Sequence, residues 1–260
     1  MSEERTNWLA RLGWFYGEPL QCLPTPGELG RDPAYRPICA VGLLSLLAGL
    51  LLSIIARPSS HELSPLSRLL LSVMPYQVFA LGGCLLGLIP MIRREGFRLS
   101  LQIPQPSESP GVLVGFSLRF LLLIYPVILA INAFSLYFCR LLEIPLTPPA
   151  IEALGQEGGL LYWMVSGISS VIMAPIVEEI LIRLVIFRCI RSICPLWAAI
   201  FSSMVFSLMH GNPQYVLSLF FVGMCLQHAM ALGGLPRAIL LHSLYNLLAF
   251  TILCLQHCWG

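Results

Sequence analysis

The side chains best able to move a proton or hold a metal ion fall into three short patterns in the second half of the chain. Glu178 and Glu179 are adjacent, with Arg183 four residues after the second; Phe206 precedes His210 by four, and His242 precedes Asn246 by four. In a helix, successive residues are about 100° apart and positions i and i+4 share a face. Glu179 can then pair with Arg183 to orient its helix, while Glu178 points elsewhere, toward a cavity. A single histidine in apolar surroundings is more often a hydrogen-bonded core residue than a reactive group. Two beside an acidic pair are an inventory from which a shared site can be built. On inventory alone, such a site and a set of separately packed polar residues both remain open.

The elements that carry these patterns are apolar. Of the 260 residues, 57% are hydrophobic and only 11% charged, and the mean hydropathy is +0.81. A soluble domain carries charge on roughly a quarter of its positions. Most of this chain's outer surface must therefore meet lipid, which excludes a soluble enzyme and a disordered tail. The 15 basic residues are all arginine, and a net charge of +2 without any basic run leaves no footprint for nucleic acid. The nine cysteines form no CxxC pair and mostly lie in apolar runs, so they read as reduced structural thiols. Glu3, Glu4 and Arg5 precede a mixed segment with no apolar core of a signal peptide, so the N-terminus is expected to be retained.

Crossing a hydrocarbon core takes about 20 helical residues. Apolar stretches at 37–56, 69–92, 112–139, 159–190, 195–209, 214–232 and 238–255 are the candidates. Unpaired backbone groups are not tolerated in lipid, so each must be helix. The expected fold is all-α, a polytopic membrane bundle of seven or eight transmembrane helices. The fifth stretch is short, so either its helix continues past His210 or the region is buried among the others. Three parts follow: an interfacial or cytoplasmic segment 1–36, in which Trp8, Leu9, Leu12, Phe15 and Tyr16 recur at helical spacing; N-terminal membrane helices 37–158; and a core 159–255 that holds all three patterns.

Most arginines fall on one side of such a bundle. With the N-terminus inside, Arg5, Arg11, Arg31, Arg36, Arg93, Arg94, Arg98, Arg183, Arg188, Arg191 and Arg237 lie on or toward the cytoplasm, against Arg57, Arg68 and Arg140 outside. Arg119 can snorkel to the cytoplasmic surface, Gln227 and His228 reach headgroups or pair between helices, and Tyr162, Trp163 and Trp259 suit an outer aromatic belt. Measured from the arginine-marked ends at 1.5 Å per residue, Glu178 lies about 20 Å deep and His210 about 22 Å, so these two can meet. His242 lies only about 8 Å from Arg237 and Asn246 about 14 Å, so the last helix must start deeper, or tilt, to join them.

The ordered patterns EExxxR (Glu178 to Arg183), FxxxH (Phe206 to His210) and HxxxN (His242 to Asn246) resemble the CPBP family of CAAX prenyl endopeptidases and bacteriocin-processing relatives, also called Abi. Two positions depart from the family pattern: Ile182 stands where Phe is common and Leu184 where Gly is common. A leucine there narrows the approach of a neighbouring helix. The resemblance implies an intramembrane endopeptidase acting near the C-terminus of a hydrophobic or lipidated, membrane-associated peptide. Glu178 and His210 would then activate a water, His242 and Asn246 would steady the oxyanion, and Glu179 and Arg183 would hold the helix.

No cofactor is expected on this reading. The alternative is Zn2+ held by Glu178, His210 and His242, although the helical HExxH signature is absent. The competing function is a catalytically silent scaffold or bacteriocin-immunity protein of the same family. A transporter ranks below both, because neither internal repeats nor paired broken helices are visible. Lipid and the peptide are the expected partners; nothing in the sequence specifies an oligomeric state.

Overall fold

The computed structural model describes residues 64–96, 109–146, 159–191 and 194–259, with Leu101 and a few positions between 41 and 51. The interfacial segment and most of the first expected span lie outside these residues, although Val41, Leu44, Leu47, Ala48 and Leu51 are helical. Among the described residues there is no strand.

Two long helices open the described chain: α1, Pro65–Glu95, and α2, Pro110–Leu141. Each begins with a Ser-Pro pair. Ser64 Oγ accepts from Ser67 N at 3.2 Å and Ser109 Oγ accepts from Val112 N at 3.4 Å. The following proline has no N–H to leave unsatisfied. A third helix, α3, runs over 160–191 and is interrupted by two π-helical stretches, Ser169–Met173 and Ile180–Ile186. The helix α4, Pro195–Met209, is followed by a 3-10 turn, Pro213–Tyr215, and by a final helical run, Val216–Trp259. That run is bent at Gly233 and Gly234, whose backbones are not helical, and its two arms are α5 (216–232) and α6 (235–259).

Six of the seven expected spans thus correspond to helices. Four helices among the described residues are long and apolar enough to cross a bilayer, the last of them being the bent run. The fifth expected span does not continue past His210. It stops there because His210 caps the helix and Gly211 adopts φ +67°. It is instead buried, with Ala198, Ala199, Ser202, Ser203, Phe206 and Ser207 covered by neighbours. Gly223 on α5 allows a close approach, since a Cβ there would stand 2.9 Å from the Cβ of Ser203 on α4.

Polarity is inverted relative to a soluble domain. Leu122, Leu123 and Leu160 are about three-quarters exposed, whereas Glu179, Arg183 and His242 are almost fully buried. With the apolar helices, this arrangement is that of an integral membrane protein. One core, gathered from α1 (Cys84, Leu88), α2 (Leu121, Ile124, Ile128) and the later helices (Phe206, Val222, Leu241), surrounds the polar groups. The aromatic-belt reading fails for Tyr162. It is only 2% exposed, because it faces α3's neighbours rather than lipid and meets Trp163 edge-on.

Candidate active site

The site is assembled on α3 at the join between its last α-helical segment, Ala174–Glu179, and the second π-helical stretch. Glu179 Oε2 accepts from Arg183 Nε at 3.0 Å, and both side chains are fully buried. This is the i,i+4 pair that the sequence suggests, but Glu179 does more. Its other oxygen, Oε1, lies 3.1 Å from His242 Nδ1 on α6, across 63 residues of sequence. An ionised carboxylate only accepts, so Nδ1 carries a proton and donates it. The opposite ring atom, His242 Nε2, then faces Glu178 Oε2 at 3.9 Å. That gap is too long for a direct hydrogen bond and suits a bridging water about 2.8 Å from each atom.

Glu178 Oε2 is buried and has no hydrogen-bond partner. A buried carboxylate oxygen with no donor is costly unless something else binds there. The adjacent glutamates are thereby divided, Glu179 fully engaged and Glu178 presenting an open acceptor.

Phe206 on α4 is the hub of the cluster. Its ring meets those of His210 at 5.0 Å and His242 at 5.4 Å, both edge-on, and the Arg183 guanidinium lies 5.7 Å from its centroid. His210 joins through this ring. Its Nδ1 is held 2.8 Å from the Phe206 carbonyl, while the residue as a whole is exposed at the end of α4. Asn246 sits one turn beyond His242 and donates Nδ2 to the Ser170 carbonyl at 2.8 Å. One of its two N–H donors is therefore engaged on α3, two turns from Glu178.

The depth mismatch of the last helix is resolved at its start. Arg237 lies 4.3 Å above the ring of Phe116, and it donates to the Leu232 carbonyl at 3.3 Å. Phe116 is six residues into α2, about 9 Å along it, so the Arg237 side chain meets α2 within that helix rather than at its end. His242 stands level with Glu178, with 3.9 Å between Nε2 and Oε2. The turn needs glycine: Gly234 has φ +72° and ψ −170°, a region closed to side chains with a Cβ.

The first π-helical stretch gives partners to Asn246 and to Gln77, a polar residue that the motifs do not cover. A π turn releases carbonyls from the regular ladder. Gln77 on α1 donates to Ser169 Oγ at 3.0 Å and approaches the Ser169 carbonyl at 3.5 Å, while Asn246 takes Ser170 from α6. Two helices thus dock on consecutive residues of α3. Gln77 is itself a buried amide in an apolar span, so the same rule that flags Glu178 would have flagged it.

Among the described residues no three His, Cys, Asp or Glu side chains are grouped to hold a metal. His242 Nδ1 faces Glu179 and His210 Nδ1 faces a backbone carbonyl, so on each ring Nε2 is the nitrogen turned away from these bonds. Ile182 and Leu184, the two departures from the motif, are buried in the apolar core within the second π-helical stretch.

A helical membrane bundle with a buried carboxylate, imidazole and guanidinium network has the parts of an intramembrane hydrolase. Residues 160–248, about a third of the chain, match the family model described as Type II CAAX prenyl endopeptidase Rce1-like, so this segment is similar to the family that the three motifs resemble. No curated protein and no solved structure matches the chain.

Proposed function

We propose that this protein is an intramembrane endopeptidase that hydrolyses a peptide bond near the C-terminus of a hydrophobic or lipidated, membrane-associated peptide, using a water activated without a metal. The observation that carries this reading is the buried Glu178 Oε2, lacking a hydrogen bond and 3.9 Å from His242 Nε2, beside a second glutamate that is fully engaged. Family members of this type are generally proteases, which supports peptidase chemistry at these residues.

In the proposed reaction, Glu178 takes a proton from a water, and the water oxygen bonds to the scissile carbonyl carbon as that carbonyl becomes an oxyanion. His210, at the open end of α4, orients the water as substrate arrives. Collapse of the tetrahedral intermediate breaks the C–N bond, and Glu178 returns its proton to the departing amine. His242 is kept in one orientation by Glu179, and the second N–H of Asn246 is free to donate to the oxyanion. The arginine bias supports an N-terminus on the cytoplasmic side.

Glu178→Gln keeps the size of the side chain and removes the base. It is expected to abolish cleavage of a lipidated C-terminal peptide in purified protein, with an unchanged melting temperature. Chelator treatment is expected to leave wild-type cleavage intact. Cleavage by Glu178→Gln at the wild-type rate would overturn Glu178 as the base, and an absence of cleavage by the wild-type protein would favour the silent scaffold.

A further inference from the structure

We infer that a cavity between α2 and α6 binds an anionic membrane phospholipid, its phosphate held between Arg119 and Arg237 and an acyl chain lying along α2. The site is separate from the glutamate and histidine cluster and does not depend on the proteolytic reading. The cavity measures about 540 Å3, within the roughly 300–1,000 Å3 typical of small-molecule sites. Its two charged lining residues are both arginine, and no acidic side chain lines it. The rest of the lining is glycine and apolar. Two like charges that face one cavity in an apolar region are costly until an anion joins them, and the planar guanidinium fork suits phosphate oxygens.

The wall on α2 is one helix face, because Phe116, Arg119, Phe120 and Leu123 follow one another at i, i+3, i+4 and i+7. The rings of Phe116 and Phe120 stack at 5.5 Å, and the Arg237 guanidinium lies 4.3 Å from the Phe116 centroid. Arg237 is thereby held against this wall from α6, while Arg119 is exposed. Gly115, one turn before Arg119, leaves the wall bare, since a Cβ there would meet nothing within 4 Å. The surroundings point to a lipid rather than a free anion. Leu118, Leu122 and Leu123 on α2 are exposed, as is Val112, so the cavity borders hydrocarbon. The 32 residues of α2 span about 48 Å against a hydrocarbon core of about 30 Å, which leaves its first turns in the headgroup layer. Arginines just beneath that layer reach up to phosphates while their stems stay in apolar surroundings. Basic pockets between helices on the cytoplasmic side take anionic headgroups in this way, and the arginine bias supports that side for this end of α2.

The test titrates purified full-length protein in detergent with dioleoylphosphatidylglycerol, dioleoylphosphatidylcholine or inorganic phosphate and reads bound lipid by native mass spectrometry. One phosphatidylglycerol per chain is expected to be retained, roughly five-fold more tightly than phosphatidylcholine. Inorganic phosphate is expected not to displace it. Arg119→Gln should weaken phosphatidylglycerol binding roughly five-fold with an unchanged melting temperature in the absence of lipid. Arg237→Gln should weaken it as far and also melt earlier, because the contact with Phe116 is lost. Gly115→Leu fills the cavity without touching either charge, and it should abolish retention while the lipid-free protein melts as before. Equal retention of the two lipids, displacement by inorganic phosphate, or wild-type retention in either Arg119→Gln or Gly115→Leu would overturn the inference.

Discussion

Two neighbouring glutamates differ because of what surrounds each oxygen. Glu179 is held by a cation on its own helix and an imidazole on another, and Glu178 has neither within hydrogen-bond range. Removing one member of a buried pair strands the other, at about 3–5 kcal/mol. Arg183→Met should therefore lower the melting temperature strongly, and Glu179→Gln should lower it as well. The double variant should lose much less than the sum, which a double-mutant cycle on thermal melts would read. Glu179→Gln should also slow cleavage, because it releases His242. The Glu179–Arg183 pair was legible in the sequence, since four-residue spacing on a helix fixes one face. The bond from Glu179 to His242 was not, because 63 residues separate them and no local rule brings them together.

The elements that matter most are those where α3 and the final run depart from regular helix. Hydropathy located the helices well, because burying the backbone in lipid leaves no other choice. It could not show the π-helical stretches, which depend on hydrogen bonds rather than composition. Nor could it set the depth of α6, which is fixed by the Gly233–Gly234 turn and by Arg237 resting on Phe116. The short α4 posed the same problem: the sequence left open whether it extends, and the positive φ of Gly211 ends it. Gly234→Ala tests this directly. At φ +72° and ψ −170° a Cβ costs about 1–3 kcal/mol. The variant should melt earlier and lose activity beyond its loss of folded protein, because His242 and Asn246 shift together. Activity normalised to folded protein is the measurement, and an unchanged normalised rate would show that the turn does not set the register of the site.

At the scale of the whole molecule, the site lies where helices from both halves meet. The Rce1-like match covers residues 160–248, yet its core is closed by Cys84 and Leu88 of α1 and Leu121, Ile124 and Ile128 of α2. Composition alone announced a protein solvated by lipid, and the buried polar network bears that out. The arginine distribution adds a direction. Cys194, at the junction of α3 and α4, follows Arg188 and Arg191, whereas Leu142 caps the far end of α2 and is exposed. In a cysteine-depleted background, a chain keeping Cys194 should react with a membrane-impermeant maleimide only in inside-out vesicles. A chain carrying Leu142→Cys should react only in right-side-out vesicles. The reverse labelling would turn the bundle over and move the exposed face of His210 to the opposite side of the membrane. Because α4 runs from Cys194 toward His210, the same labelling fixes the side of the membrane toward which the His210 end of α4 lies.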